Sequence, residues 1–420
     1  MSDHEEKLLY PMRNTSKSFY VFLAALSIVS LWFLYAYTVQ LTYGLAVTGL
    51  DDIVIWGTYI SNFIFFVGIS HAGIAISAAV RIMRLDSYKP IVRIAELLTL
   101  VSLAMAGISI VIDLGRPDRA FLLITSWASR IGTSPLIWDI TAVATYLILS
   151  ATYLYISLRE DIHKVMTRST GWRKKFYSLC IPWYDVDETP TIHRLSMWMA
   201  VTILPVMVMV HTTVAWIFGL ISSRPLWFGG IAGPYFVAGA IASGIAAVTA
   251  IAAIIRYLYH WEDIIKPQIF RGLGNFLAVI ILIYMYFMLS EQMTANYAGP
   301  TGEYFVTQDW LFGPYWVLFW PMFIGGMLLP CLILLWQAFR PGYVNIKLTA
   351  FLAAVVVLAF WVKRYLVIIP TMTRGIEGLV YTPTWVEISI VLGTFALPAL
   401  LYIIFMKFFP IIELEELKHE

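Results

Sequence analysis

The sequence predicts an all-α polytopic membrane protein of about ten transmembrane helices, and three observations carry that prediction. First, the 420 residues are 60% hydrophobic and only 13% charged, with a mean hydropathy of +0.78, whereas soluble domains are roughly 25% charged. Second, apolar runs of about 20 residues, the length that crosses a bilayer core, recur between charged or Pro/Gly-rich punctuation. Third, Lys and Arg alternate in abundance from one connection to the next.

The ten expected spans cover residues 18 to 41, 55 to 83, 91 to 113, 137 to 158, 195 to 220, 234 to 258, 274 to 294, 316 to 338, 346 to 369 and 388 to 409. The polar stretch 1 to 17 reads as a tail. The run from Phe19 lacks a small-residue cleavage signature, so it reads as a retained span rather than a signal peptide. Of the 28 Lys and Arg residues, 21 fall in the two tails and the even-numbered connections. That asymmetry predicts cytoplasmic termini. The longest connection, 159 to 194, holds Arg173 to Lys175 and the acidic run Asp185 to Glu188, and reads as a solvated cytoplasmic loop. Connections 295 to 315 and 370 to 387 are long enough to offer an outer surface to another subunit.

A faint internal repeat organises the spans. Span two ends in RIMRLDSYKPIVR and span six in RYLYHWEDIIKPQIFR, an offset that also pairs Asp113 with Glu291 and Pro135 with Pro314. Two four-helix bundles of the same orientation follow, flanked by one helix at each end. The domain limits are then 1–17 (tail), 18–54 (first span and outer loop), 55–220 (first bundle), 221–370 (second bundle) and 371–420 (last span and tail). In span eight, Pro321, Gly325, Gly326 and Pro330 mark either a kink or the broken helix of a transporter.

Composition excludes some functions. A net charge of +2 without any basic, aromatic-interleaved run excludes nucleic-acid binding. Two cysteines, Cys180 in a polar loop and Cys331 in an apolar run, cannot ligate an iron–sulfur cluster. If electrons pass through clusters, a partner subunit holds them.

Ionisable residues inside a membrane are costly and therefore point to function. Of seven histidines only His71 and His211 lie within spans. Counted from the outer face they lie about 16 and 9 residues in, a depth difference of about 10 Å at 1.5 Å per residue. That spacing argues against a shared haem. A quinone head group instead needs hydrogen-bond donors and a proton-exchanging group, which a histidine beside a carboxylate supplies. His71, Asp113 and Asp139 converge if spans two, three and four are neighbours. The plainer reading of His71 is a hydrogen-bonded interior histidine. That of Asp113-Leu-Gly-Arg-Pro-Asp-Arg is a helix end capped at Gly115, stopped by Pro117, with Arg116 paired to a carboxylate. In the second bundle Ala246 stands where the repeat would put His71, and Glu291, Lys363 and Arg364 are the polar groups near its outer end. Lys363 and Arg364 snorkel or pair with Glu291.

The stretches GISHAGIAISAAVRIMRL, RIAELLT, DLGRPDRAF, SPLIWDITAVATYL and VHTTVAWIF resemble the signatures of the NrfD/PsrC family of membrane quinone-interacting subunits, and the ten-span plan resembles its ten-helix members. The resemblance implies a quinone pocket, of the menaquinone type, toward the outer side of the first bundle, with His71 as head-group ligand and Asp113, Arg116 and Asp139 around it. It further implies no haem or cluster on this chain, a ferredoxin-like iron–sulfur subunit on the outer face, further catalytic or cytochrome subunits, and a prokaryotic cell membrane. Ile217 follows Trp216 where some relatives carry an acidic residue, so a proton path through span five loses one group; His211, Glu291 and Lys363 remain as candidates for such a path. The expected function is that of a quinone-reacting subunit of a respiratory oxidoreductase, with a secondary transporter and a haem-binding cytochrome b as competitors.

Overall fold

The structure is a computed structural model that describes residues 3–182, 184, 189–297, 299–373 and 381–414; the acidic run Asp185 to Glu188 and residues 374–380 of the connection 370 to 387 lie outside the described residues. Among the described residues ten helices are long and apolar enough to span a bilayer, as expected. They are Lys17–Tyr43, Thr58–Ile82, Lys89–Asp113, Pro135–Thr167, Thr189–Gly219, Ala232–Leu258, Pro267–Tyr297, a composite Trp316–Ala338, Ile346–Thr373 and Trp385–Phe408.

Local chemistry sets their ends. Pro90 lies in the first turn of span three, where its missing N–H costs nothing. That span stops at Gly115, whose φ of +65° is the left-handed conformation that ends many helices. Span ten opens on a capping box in which Thr384 and Glu387 satisfy each other's backbone N–H groups. Span eight is not broken: residues Pro321–Leu328 form a π-helical stretch continuous with the α-helices on either side. The widened turn absorbs the missing N–H groups of the prolines.

Spans two to five pack around one another in a closed ring, two on three, three on four, four on five and five on two; spans six to nine do the same. Span six joins the rings by lying against span two, and spans one and ten pair outside the first ring. The join is tight because small residues face each other. A side chain at Gly244 would strike Ala72, and a Cβ at Gly68 would stand 3.6 Å from the Ala240 Cα. Small residues are what membrane helices use to approach closely, since lipid offers little hydrophobic drive for association.

Both ends of the described chain lie on one face, hereafter the terminal face. Lys407, at the end of span ten, donates to the carbonyls of Pro11 at 2.7 Å and Asn14 at 2.6 Å. Two features of this face correct the sequence reading. The basic turn between spans two and three does more than add to the charge asymmetry counted above, because Arg93 is 1% exposed and pairs with Asp161 at 2.6 Å. The connection 159 to 194 is not simply a solvated loop either. Asp161 is buried, and Gly171–Cys180 forms a helix that packs against span four.

Candidate functional site

His71 sits midway along span two, 1% exposed, its Nδ1 2.5 Å from the Val67 carbonyl one turn earlier and its Nε2 2.8 Å from the Met207 carbonyl of span five. A neutral imidazole carries one N–H, so one of those two carbonyls faces a lone pair unless a second proton is present. Against the ring lie Tyr146 of span four, at 5.4 Å between centroids, and His211 of span five, at 4.4 Å. His211 is fully buried; its Nε2 meets the Phe236 carbonyl at 2.8 Å and its Nδ1 has no partner.

The two histidines therefore share one depth, and the expected mismatch of about 10 Å is wrong. Span two opens at Thr58 rather than 55, and span five, unbroken through Pro205, closes at Gly219; the depth count missed how the two are set against each other. The pair nevertheless does not fit a haem iron between its rings. Metal–imidazole bonds of about 2 Å hold the two nitrogens alone about 4 Å apart, and the centroids further still, whereas here the centroids are 4.4 Å apart and each Nε2 is turned to a backbone carbonyl.

The expected convergence of His71 with Asp113 and Asp139 is also absent. The Tyr146 hydroxyl and the Thr99 hydroxyl both donate to the Ser70 carbonyl, at 3.2 and 2.7 Å, which fixes a common level for spans two, three and four. At 1.5 Å per residue Asp139 then stands about 10 Å, and Asp113 about 20 Å, further toward the opposite face. The three side chains thus stand at three different depths. Asp139 is 8% exposed, and each aspartate has an Oδ1 buried without a partner. Arg116 does not join them. It is exposed and forks onto Asp118 at 3.0 and 2.9 Å, and those bonds hold the Asp118 carboxyl below its usual range.

Asp113 instead feels a cluster at the rim that sequence reasoning missed. Its electrostatic neighbours are Glu387 and Tyr59. Tyr59 donates to Gln40 at 2.6 Å. Glu387, 0% exposed, accepts from the Tyr381 hydroxyl and from the Gly49 N–H at 2.6 Å. The Thr384-Trp-Val-Glu387 pattern was the available signal, since Ser/Thr-x-x-Glu announces a capped helix start.

From His211 the polar line continues into the second ring. The Phe236 carbonyl also receives Arg364 at 3.5 Å, and the guanidinium lies 4.6 Å from the Phe236 ring centre. Next to it Lys363, 0% exposed, pairs with Glu291 at 3.7 Å and stands 4.1 Å over Trp310. Pairing, not snorkelling, is thus the state of Lys363. Glu291, Glu303, Trp310, Tyr235 and Phe236 line a cavity of about 140 Å3 where the two rings meet.

A family model described as Polysulphide reductase, NrfD matches residues 46–375. The chain is 28% identical over 397 residues to a putative dimethyl sulfoxide reductase membrane subunit of Halobacterium salinarum, covering 90% of this chain and 88% of that one. It is 24% identical to a selenate reductase subunit of Mesobacillus selenatarsenatis, over 95% and 94% of the two chains. To the Hdr-like menaquinol oxidoreductase integral membrane subunit of Archaeoglobus fulgidus it is 23% identical, over 96% and 95%. A match over most of the chain, on a fold of ten spans among the described residues, establishes the kinship: the chain belongs to the NrfD/PsrC polysulphide reductase family.

Proposed function

We propose that this chain is the quinone-reacting membrane subunit of a multi-subunit oxidoreductase. The observation that carries this reading is the contact between His71 and His211, two buried imidazoles inside the bilayer, with unpartnered carboxylate oxygens of Asp139 and Asp113 spaced above them. A quinone supplies coupled two-electron, two-proton chemistry, and a protein that serves it must hold and move protons near the ring. Histidines do so near neutral pH. The relatives named for menaquinol and reductase complexes support the same class of reaction.

In this reading His71 and His211 exchange protons with the ring in the first bundle, and Asp139 and Asp113 extend the route toward the opposite face. Arg364, Lys363 and Glu291 carry a second polar line to the inter-ring cavity. The excess of basic residues on the terminal face makes that face cytoplasmic. An iron–sulfur subunit then docks on the opposite face, where Phe121, Ile124, Trp127 and Phe312 are exposed.

The cavity beside Glu291 favours one variant of this proposal, in which the ring enters between the two bundles rather than within the first. In the intact complex, His71→Gln is expected to abolish quinol-linked electron transfer while the complex still assembles. Glu291→Gln separates the sites: loss of quinone reactivity with H71Q still active would move the ring to the inter-ring cavity. Unchanged turnover in both variants would end the proposal. Two competing classes are tested on the purified chain alone, a transporter by solute flux into liposomes and a cytochrome b by a visible α-band.

A further inference from the structure

Residues 410–414, which follow span ten, lie across the terminal ends of spans two, three and four. Ile411 and Leu414 are each 1% exposed, so the segment is packed into the protein rather than draped over it. Polar contacts pin it along its length. Arg93 of span three donates to the Pro410 and Ile412 carbonyls, at 3.1 and 3.3 Å, and Arg81 of span two pairs with Glu413 at 2.9 Å. Span four supplies Asp161, which accepts from the Leu414 N–H at 3.2 Å, and Lys164, which donates to the Leu414 carbonyl at 3.2 Å.

What the segment covers is a polar seam inside the first ring. Glu96, its side chain 0% exposed, accepts from the hydroxyls of Ser77 at 2.5 Å and Ser157 at 3.3 Å, and Ser77 lies 3.0 Å from the Tyr153 hydroxyl. Taking a carboxylate out of water is costly, so such a group draws water wherever water can reach it. Water has room close by. A hollow of about 40 Å3, enough for a water or two, is lined by Arg81, Arg93, Ser157, Asp161, His193 and Glu413. Only Ser157 and Arg81 stand between this hollow and Glu96. Arg81 is set between two carboxylates, 3.6 Å from the buried Glu96 and 2.9 Å from Glu413, with its guanidinium 5.4 Å from the Tyr153 ring centre. Glu413 therefore fixes the Arg81 side chain across the way in.

We propose that residues 410–414 are a stopper on the terminal end of the first ring, in which Glu413 holds Arg81 as the bolt that keeps terminal-face water from Glu96. With the segment seated, Ser77 and Glu96 are dry; with it lifted, both meet water from that face. A segment outside any span can lift as a local opening, without unfolding the ring. The inference is independent of the quinone reading.

The test is the labelling of Ser77→Cys by a charged, membrane-impermeant methanethiosulfonate, on the full chain in lipid nanodiscs with Cys180→Ala and Cys331→Ala. Ser77 is 0% exposed, so S77C should be protected while the stopper is seated. Glu413→Lys sets a cation against Arg81 and should quicken labelling about tenfold or more, as a local opening does. Omission of residues 410–420 should do the same. Ser109→Cys, at a site 2% exposed in the other half of span three, should stay protected throughout, because only a general loosening of the ring would reach it. Where the shortened chain fails to fold, E413K alone decides, since it deletes nothing. Protection of S77C that survives E413K, equal gains at positions 77 and 109, or ready labelling of S77C with Glu413 in place would each overturn the stopper.

Discussion

Arg93 offers the sharpest test of whether the terminal face holds a buried ionic network or merely topology charges. Its guanidinium donates to Asp161 at 2.6 Å, to the carbonyls of Pro410 at 3.1 Å and Ile412 at 3.3 Å, and to that of Ser157 at 3.0 Å. Arg93→Met keeps most of the aliphatic stem and removes all four bonds. Asp161 would keep its bonds from the Leu414 N–H, at 3.2 Å, but its buried charge would lose its hydrogen-bonded cation and keep only the weaker influence of Lys164. Pro410 and Ile412 lie beyond the end of span ten, so no helix supplies donors in exchange. One charge-assisted hydrogen bond contributes about 1.5–3 kcal/mol, and removing one member of a buried pair costs about 3–5 kcal/mol. The expected loss is therefore about 4 kcal/mol, read as a shift in reversible unfolding of the purified chain in mixed micelles. The double variant Arg93→Met with Asp161→Leu should recover most of that loss, because a buried pair exchanged for apolar groups is near neutral. A single variant within about 1 kcal/mol of the parent, or a double variant as unstable as the sum of the singles, would refute the network.

The remaining expectations concern the opposite rim and the contact between spans two and three. Tyr381→Phe removes a donor to the buried Glu387 carboxylate and should cost about 1.5–3 kcal/mol in the same unfolding assay. Burial, with the nearby Glu387 charge second, pushes the Tyr381 hydroxyl well above its usual value. A group whose folded pKa is raised contributes stability below its unfolded pKa, about 10 for tyrosine, and loses it as pH rises; Y381F should therefore flatten the alkaline fall in stability between about pH 10 and 12. Gly73→Ala places a methyl against the Ala95 carbonyl and the Thr99 hydroxyl. Forced separation of spans two and three should cost about 1–3 kcal/mol, and an unchanged unfolding midpoint would show that the spans have slack.

Most of the fold was legible because hydropathy and charge report on the bilayer, a solvent that leaves little freedom in how a chain crosses it. The limits of span three followed from Asp113, Gly115 and Pro117 alone. The site was less legible for a geometric reason. Counting residues in from each span's outer end compares depths only if those ends are level, and the outer ends of spans two and five, at Thr58 and Gly219, are offset along their axes. Neglect of that offset separated His71 from His211. The grouping of His71 with Asp113 rested on the spans being neighbours, and neighbours they are, but the two side chains lie about 20 Å apart along them. Glu387 and Asp161 were missed because each lies next to polar sequence, where a carboxylate reads as solvated. Burial there depends on segments distant in the chain, Gly49 for one and Leu414 for the other.

The repeat explains why only one ring carries an interior histidine. Span six, the counterpart of span two, is the helix that closes the join between the rings, and small residues from Gly239 to Ala247 provide its close approach. Ala246, at the position equivalent to His71, is 0% exposed. Gly244 is already in contact with Ala72, the residue next to His71. An imidazole at 246 would need room in that fully buried wall, where added volume is paid for in strain. The second ring instead puts its ionisable groups on spans seven and nine, as Glu291, Lys363 and Arg364, and reaches the histidine pair through the Phe236 carbonyl shared by His211 and Arg364. The two halves thus differ in where their charge sits because span six is committed to packing.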